Sequence, residues 1–284
     1  TNQGIELEVG YKLSVDKVNL SFLANASYVK NEIKNLGNQT GYIDKESLPT
    51  LGTVSRNENG YPIGYFFGYK AIGVFQTQEE IDSYISPATG KPIQPNAAPG
   101  DTKFEDLNGD GVISDDNEDR TMIGKPNPDW MVGLTVAADW NGFDLSAFFQ
   151  GSFGADVFDA LRRYELAAVN YTSDALERWT GPGTSNSMPR IVLGDTPKNF
   201  RPSTLLVHDA SFLRLRNLQV GYTLPAQLTR KAYIQRLRFY ASFDNLLTIT
   251  GYKGMDPEIG STMGIDKGVY PQARVYTFGL NLTF

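Results

Sequence analysis

The chain of 284 residues has no cysteine, one histidine (His208) and five methionines. Without cysteine there is no disulfide scaffold, and one histidine excludes paired-histidine zinc sites and the HExxH arrangement. No run of about 18 apolar residues occurs, which removes a transmembrane helix, and no basic segment leads into an apolar core as in a secretory signal peptide. Basic residues are not in excess: 26 Lys and Arg face 32 Asp and Glu, a formal charge of −6. With no broad cationic surface, and no aromatics among clustered Lys and Arg, no nucleic-acid partner is expected. Residue 1 is Thr rather than Met, so a mature, cleaved or truncated chain is expected, with part of the machinery upstream.

What is plentiful is Gly (28), Phe (16) and Tyr (15), and the apolar residues recur at every second position. Ile5, Leu7, Val9, Tyr11 and Leu13 alternate with Glu6, Glu8, Gly10 and Lys12; after SVDK, Val18, Leu20, Phe22, Ala24, Ala26 and Tyr28 continue the pattern. Trp130 to Trp140 alternates likewise, Asn141-Gly142 supplies the residues a two-residue hairpin turn prefers, and Phe143, Leu145, Ala147 and Phe149 return. Phe212–Leu224, Leu237–Ile249 and Arg274–Phe284 complete a set of seven predicted strands, each of the roughly ten residues that cross a bilayer when tilted. Arg214 and Arg216 share the phase of Leu218, Val220 and Tyr222, so the start of that strand is expected to extend beyond the apolar zone.

The links alternate strictly between short (SVDK, Asn141-Gly142, PAQLTRKAYI) and long (Lys30–Asp129, Ser152–Ser211, Thr250–Ala273). Strands running up and down would then collect the short links at one end of the sheet and the long ones at the other, the layout of an outer-membrane barrel. Aromatics near strand ends (Tyr11, Tyr28, Trp130, Trp140, Phe143, Phe149, Tyr222, Tyr276, Phe284) suit interfacial girdles. Alternation alone also fits a soluble β-sandwich. The predicted fold class is an all-β, antiparallel transmembrane β-barrel with long extracellular loops, residues 1–284 being one part of that domain. Seven strands leave open edges that lipid does not tolerate, so the remaining strands are expected upstream rather than from a second copy.

Several stretches carry a family resemblance: GYFFGYKAIGVFQ (64–76) followed by TQEEID, PGDTKFEDLNGDGVISDDNEDR (99–120), IGKPNPD (123–129), FDLSAFFQG (143–151), FLRLRNLQVGYTL (212–224) and LRFYASFDNLL (237–247). In words, order and spacing they resemble the C-terminal part of SusC/RagA-type TonB-dependent outer-membrane transporters. The resemblance is weakest over 31–59 and 157–204. It implies the last strands of a 22-stranded barrel, closed by an absent N-terminal plug, capped by a SusD/RagB-type surface lipoprotein and energised by the TonB complex through the missing N-terminal region. It further implies active import of oligosaccharides or peptides with no covalent step, and a final aromatic, Phe284, that serves barrel assembly. A soluble, secreted, calcium-stabilised glycan-binding β-domain and a passive porin are the alternatives.

Chemical candidates are few. Asp106, Asn108, Asp110 and Gly111 fit positions 1, 3, 5 and 6 of a calcium loop, with the Val112 carbonyl at 7. The pattern fails at position 12, where Asn117 stands and Glu118 and Asp119 follow. A Ca²⁺ or Mg²⁺ ion that stiffens the loop is one reading and an acidic turn closed by its own Asx hydrogen bonds is the other. His208-Asp209 with Ser211 lacks the arrangement of a triad, and the Asp115–Asp119 acids lack a cleft. Substrate contact is expected from loop aromatics, chiefly Tyr65, Phe67, Tyr69, Tyr164, Trp179 and Tyr252, though each ring could equally pack loop against loop. Val157, Phe158, Leu161, Leu166 and Val169 are spaced as for a short external helix that touches a partner.

Overall fold

Two-residue turns at Asp16-Lys17 and Asn141-Gly142 need backbone in the left-handed region, and Asp16 (φ 52°), Asn141 (φ 47°) and Gly142 (φ 91°) supply it. Gly142 is also required by space, because a Cβ there would meet the Thr223 carbonyl oxygen at 2.8 Å. In the computed structural model, which describes residues 1–116, 118–161, 166, 169–259 and 263–284, these turns join β1 (Asn2–Val15) to β2 (Val18–Asn31) and β3 (Trp130–Trp140) to β4 (Phe143–Phe153). The strands β5 (Phe212–Thr223), β6 (Arg236–Thr250) and β7 (Val275–Thr283) follow. All seven lie in one antiparallel sheet in chain order. Among the described residues no helix is long and apolar enough to cross a membrane.

Register aligns the apolar positions into continuous rows. Val9 sits opposite Ala24, Ala24 opposite Leu134, Leu134 opposite Phe149, Phe149 opposite Leu215, and Leu215 opposite Leu247. Nearer the short turns, Trp140, Phe143, Tyr222, Phe239 and Leu280 are successive partners. This face is not covered by protein: Ile5 is 75% and Phe278 76% exposed. The alternate positions, among them Asn25, Thr135, Ser146, Gln219, Ser242 and Thr277, form a polar face. The 11 residues of β3 extend roughly 33 Å, or about 25 Å of height once the strand is tilted.

One expectation is corrected. Arg214 and Arg216 do not lie beyond the apolar zone; the register slips at Arg216 against both β4 and β6. The bulge adds one residue, so Leu213 and Leu215 share the apolar face with Leu218 and Val220 although their numbers differ in parity. Arg214 turns to the polar face and is 2% exposed.

The three long connections gather at the opposite end from the short turns and fold together as a cap. The first holds a four-stranded sheet in the order Arg120–Gly124, Tyr65–Tyr69, Ser55–Glu58, Tyr42–Asp44. It also holds a short helix, Gln78–Ser83, whose N-cap Thr77 Oγ1 accepts from Glu80 N while the Glu80 carboxylate reaches back one residue further, to Gln76 N. A second sheet takes Asp156–Asp159 and Val207–Asp209 from the second connection and Ile265–Asp266 from the third. Leu48, Val54, Phe66, Phe158, Leu206 and Ile265, drawn from all three, make one buried cluster. The stretch read as a helix from Val157 is corrected: Val157 and Phe158 are strand residues, because sheet partners on both sides outweigh helical spacing. Much of the remainder, 162–165 and 167–168, lies outside the described residues.

Candidate functional site

The cap meets the polar face of the sheet, and side chains at that junction fix its shape. Arg214 donates to Thr248 Oγ1 (2.9 Å) and Glu258 (3.0 Å) and pairs with Asp256; Arg216 donates to Gln150 (2.6 Å) and Glu258 (2.6 Å). These bonds tie the third connection to the polar face of β5. Burial pushes the Asp256 carboxyl up, but the Gln272 and Glu258 N–H groups and Arg214 outweigh it and hold the acid below its ordinary value. The two arginines on an apolar phase were the sequence signal for this network. Its acidic partners, some 40 residues on in the loop, carry no periodic mark.

A second tie joins the first connection to the second. Arg190 makes a bidentate pair with Asp101 (2.6 and 3.1 Å), Asn199 Nδ2 donates to the same carboxylate (3.0 Å), and Thr102 N donates to Asn199 Oδ1 (2.8 Å). The hydrogen bond to Asp101 raises the Arg190 pKa. Beside this tie a cavity of about 690 Å³ opens between Thr89–Ala97, Gly111–Ile113 and Thr196–Arg201. A smaller one, about 280 Å³, lies where the cap meets the sheet and is lined in part by Met131, Gln150, Asp156 and Glu258. Burial, opposed by the Lys125 N–H and assisted by Asp209, pushes the Asp156 carboxyl up.

The expected substrate aromatics are placed unequally. Tyr65, Phe67, Tyr69 and Tyr252 are all buried. Phe67 and Tyr69 belong to an alternating ladder of Tyr42, Arg56, Phe67, Arg120, Tyr69, Arg201 and Phe104, with guanidinium-to-ring distances from 3.6 to 5.6 Å. Tyr65 donates to Glu58 and packs against Tyr61 in a tilted ring pair at 4.9 Å; burial, with Glu58 adding to it, raises its phenol far above the ordinary value, so it stays a donor. Tyr252 donates to Asp266 (2.7 Å). In this arrangement these four rings hold the cap together. Trp179 is half-buried, its indole N–H donating to Gln76 (3.2 Å), and Gly100 lies so close that a Cβ would come within 2.4 Å of the ring. Tyr164 lies outside the described residues.

The acidic turn is closed on itself. Asp106 accepts from Gly109 N (2.8 Å) and Gly111 N (2.9 Å), Asn108 from Asp110 N (3.0 Å), and Asp110 from Val112 N (2.8 Å). Asp119 is buried and accepts from Leu107 N (3.1 Å) and Ser114 N (3.0 Å), while Glu118 accepts from Asn108 (3.0 Å). Among the described residues no three acidic or histidine side chains are grouped so as to hold a metal ion. Asn117 lies outside them. His208 is a strand residue 3.8 Å from Asp159 and beside the Tyr252 ring.

No family model matches the chain. It is similar to TonB-dependent receptor P3 of Formosa agariphila, 34% identical over 79% of this chain and 22% of the relative. It is also similar to TonB-dependent receptor SusC of Bacteroides thetaiotaomicron, 30% identical over 100% of this chain and 26% of the relative. The solved RagAB peptide transporter superposes over 100% of this chain and 29% of the matched one, with a TM-score of 0.76 at 26% identity. The chain thus spans less than a third of the length of the relatives it matches.

Proposed function

This chain belongs to the SusC/RagA group of TonB-dependent receptors, and from that premise we propose that it forms the C-terminal strands of a 22-stranded outer-membrane barrel. The loop cap would face the exterior and the short turns the periplasm. One observation carries the reading: an apolar face runs unbroken across seven strands, bounded by aromatic rows, and is turned away from every protein contact while the opposite face is polar. A soluble sandwich would need a second sheet to cover that face. β1 and β7 each have one unpaired edge among the described residues, and unsatisfied N–H and C=O groups in lipid cost several kcal/mol each, which favours closure by further strands of the same protein.

On this reading the whole transporter imports oligosaccharides or peptides, received from a SusD/RagB-type surface lipoprotein and driven by the TonB complex, without a covalent step. Relatives named as receptors and as a peptide transporter support transport over catalysis. Trp179 is the loop ring we assign to substrate contact, since its side chain is only half-buried. A cation at Asp106–Val112 is a separate proposal that rests on spacing alone, and its role would be a slight stiffening beyond what the turn's own hydrogen bonds give.

The test uses the complete transporter. Heat-modifiable migration on a gel and a requirement for detergent are expected, with uptake lost when TonB is deleted although the protein remains at the surface. A monodisperse, folded protein without detergent would overturn the barrel, and uptake that survives loss of TonB would leave a passive porin.

A further inference from the structure

The short-turn end of the sheet carries a charge opposite to that of the chain as a whole. Residues 11–22, 136–148, 219–242 and 278–284, which make up the short-turn end, hold six basic side chains (Lys12, Lys17, Arg230, Lys231, Arg236, Arg238) and three acidic ones (Asp16, Asp139, Asp144), although the whole chain is acidic. Arg238 is paired with Asp144. Arg230 and Lys231 are exposed, and neither forms an ion pair with a described residue.

These two cations sit in the connection between β5 and β6, which is short but well built. Ala226–Thr229 and Arg230–Ala232 are helical turns, Ile234 N donates to the Thr229 carbonyl (3.1 Å), and Leu224 N and Gln235 N donate to the Leu237 and Thr283 carbonyls (2.9 and 2.8 Å). At its tip Tyr233 adopts φ 58°, a conformation disfavoured for any residue with a Cβ. Tyr233 is 91% exposed, and Leu228, five residues earlier, is 60% exposed. Cations suit the end of a helical turn, but that does not account for an exposed tyrosine and leucine held beside them by a turn closed with its own hydrogen bonds. The connection begins and ends beside Tyr222 and Phe239, members of the aromatic row on the apolar face.

We propose that the connection Leu224–Gln235 binds the headgroups of anionic phospholipids at the bilayer surface nearest the short turns. The inference rests on the membrane reading above. Tyr233 and Leu228 enter the headgroup level, where a ring with a polar tip is favoured, and Arg230 and Lys231 meet lipid phosphate. Lipid is the occupant because the connection continues the apolar face and its free charge is positive.

The complete transporter is placed in nanodiscs of phosphatidylcholine with or without phosphatidylglycerol, and retained lipids are identified by native mass spectrometry. Wild type is expected to retain phosphatidylglycerol preferentially. The double variant Arg230→Gln, Lys231→Gln should lose that preference by about fivefold for each cation removed. Tyr233→Gly eases the backbone but removes the ring, and is also expected to weaken retention with heat-modifiable migration unchanged. Equal retention of both lipids by wild type, or undiminished preference in a double variant that still migrates as a folded barrel, overturns the proposal. A wild-type protein that enters neither bilayer overturns the membrane reading itself.

Discussion

In the sheet, Ile5, Leu134 and Phe278 are exposed on one face and polar side chains take the other; in the cap, Phe66, Phe158 and Ile265 are enclosed, and polar groups such as Arg56, Asp101 and Asn199 are buried with hydrogen-bond partners. One chain thus obeys two solvents. The cap has a core of its own and is tied by partly buried ion pairs, whereas the apolar face of the sheet is left uncovered. A phenylalanine therefore means opposite things at positions 66 and 278, and identical substitutions should have unequal effects.

Truncating a ring in each region makes the sharpest contrast. Phe66→Ala leaves a cavity among Leu48, Val54, Phe158 and Ile265 and should cost about 4 kcal/mol. Phe278→Ala removes a ring that protein does not enclose and should cost under about 1 kcal/mol. Protease sensitivity of residues 32–129 in the complete transporter reports the first, and the temperature at which heat-modifiable migration is lost reports the second. Similar effects at both sites would erase the distinction. Next in size is Arg190→Ala, which takes two charge-assisted hydrogen bonds from the nearly buried Asp101 carboxylate, leaving those from Asn199 and the Ala98 N–H, and should loosen the cap by about 3 kcal/mol without altering barrel migration. In the sheet, Leu134→Arg puts a charge at mid-height of the apolar band and should lower barrel stability by roughly 2–4 kcal/mol while cap proteolysis stays unchanged.

The same division explains what sequence could and could not reveal. Strands and two-residue turns are written locally, as period-two alternation and as Asn141-Gly142, so all seven sheet strands were readable. The bulge at Arg216 left a visible trace, the phase change from Leu213 and Leu215 to Leu218 and Val220, but a phase change alone does not distinguish a bulge from a strand that outruns the membrane. In the cap, Phe66, Phe158 and Ile265 meet from three distant segments, and no local pattern announces that. Rings such as Phe67 and Tyr69 consequently looked available for ligand when arginines cover them. Val157 and Phe158 show the same gap, since strand partners at 207–209 and 265–266 decide their conformation.

Acid should separate two carboxylates of the cap. Asp256 is held below its ordinary value, near 3.8, so it stabilises the third connection at neutral pH, and that stability is lost as pH falls through the lowered folded value. Asp156 is displaced upward by burial, so its ionised form weakens the cap at neutral pH, and this penalty fades as pH falls through the raised value toward 3.8. Asp156→Asn keeps an acceptor for Lys125 N and should stabilise the cap at pH 7 but not at low pH. Asp256→Asn should loosen residues 251–274 at pH 7 and have little effect at low pH. Proteolysis of each segment across pH checks both signs, and parallel pH profiles for the two variants would refute the assignment.

The smallest effect is expected at the acidic turn, where both regions' logic fails to require an ion. Its backbone N–H groups already have acceptors in Asp106, Asn108, Asp110 and Asp119, so calcium can add only what the remaining carboxylate and carbonyl lone pairs supply. Millimolar Ca²⁺ or excess chelator should change the cleavage rate of residues 105–119 by less than about twofold, because the turn's own Asx hydrogen bonds set its conformation. Asp106→Ala should do more, because it orphans the Gly109 and Gly111 N–H groups and costs about 1–2 kcal/mol whether or not calcium is present. A tenfold rise in cleavage on chelation, abolished by Asp106→Ala, would show that the ion and not the hydrogen bonds holds the turn; the cap would then depend on a ligand as the sheet depends on lipid.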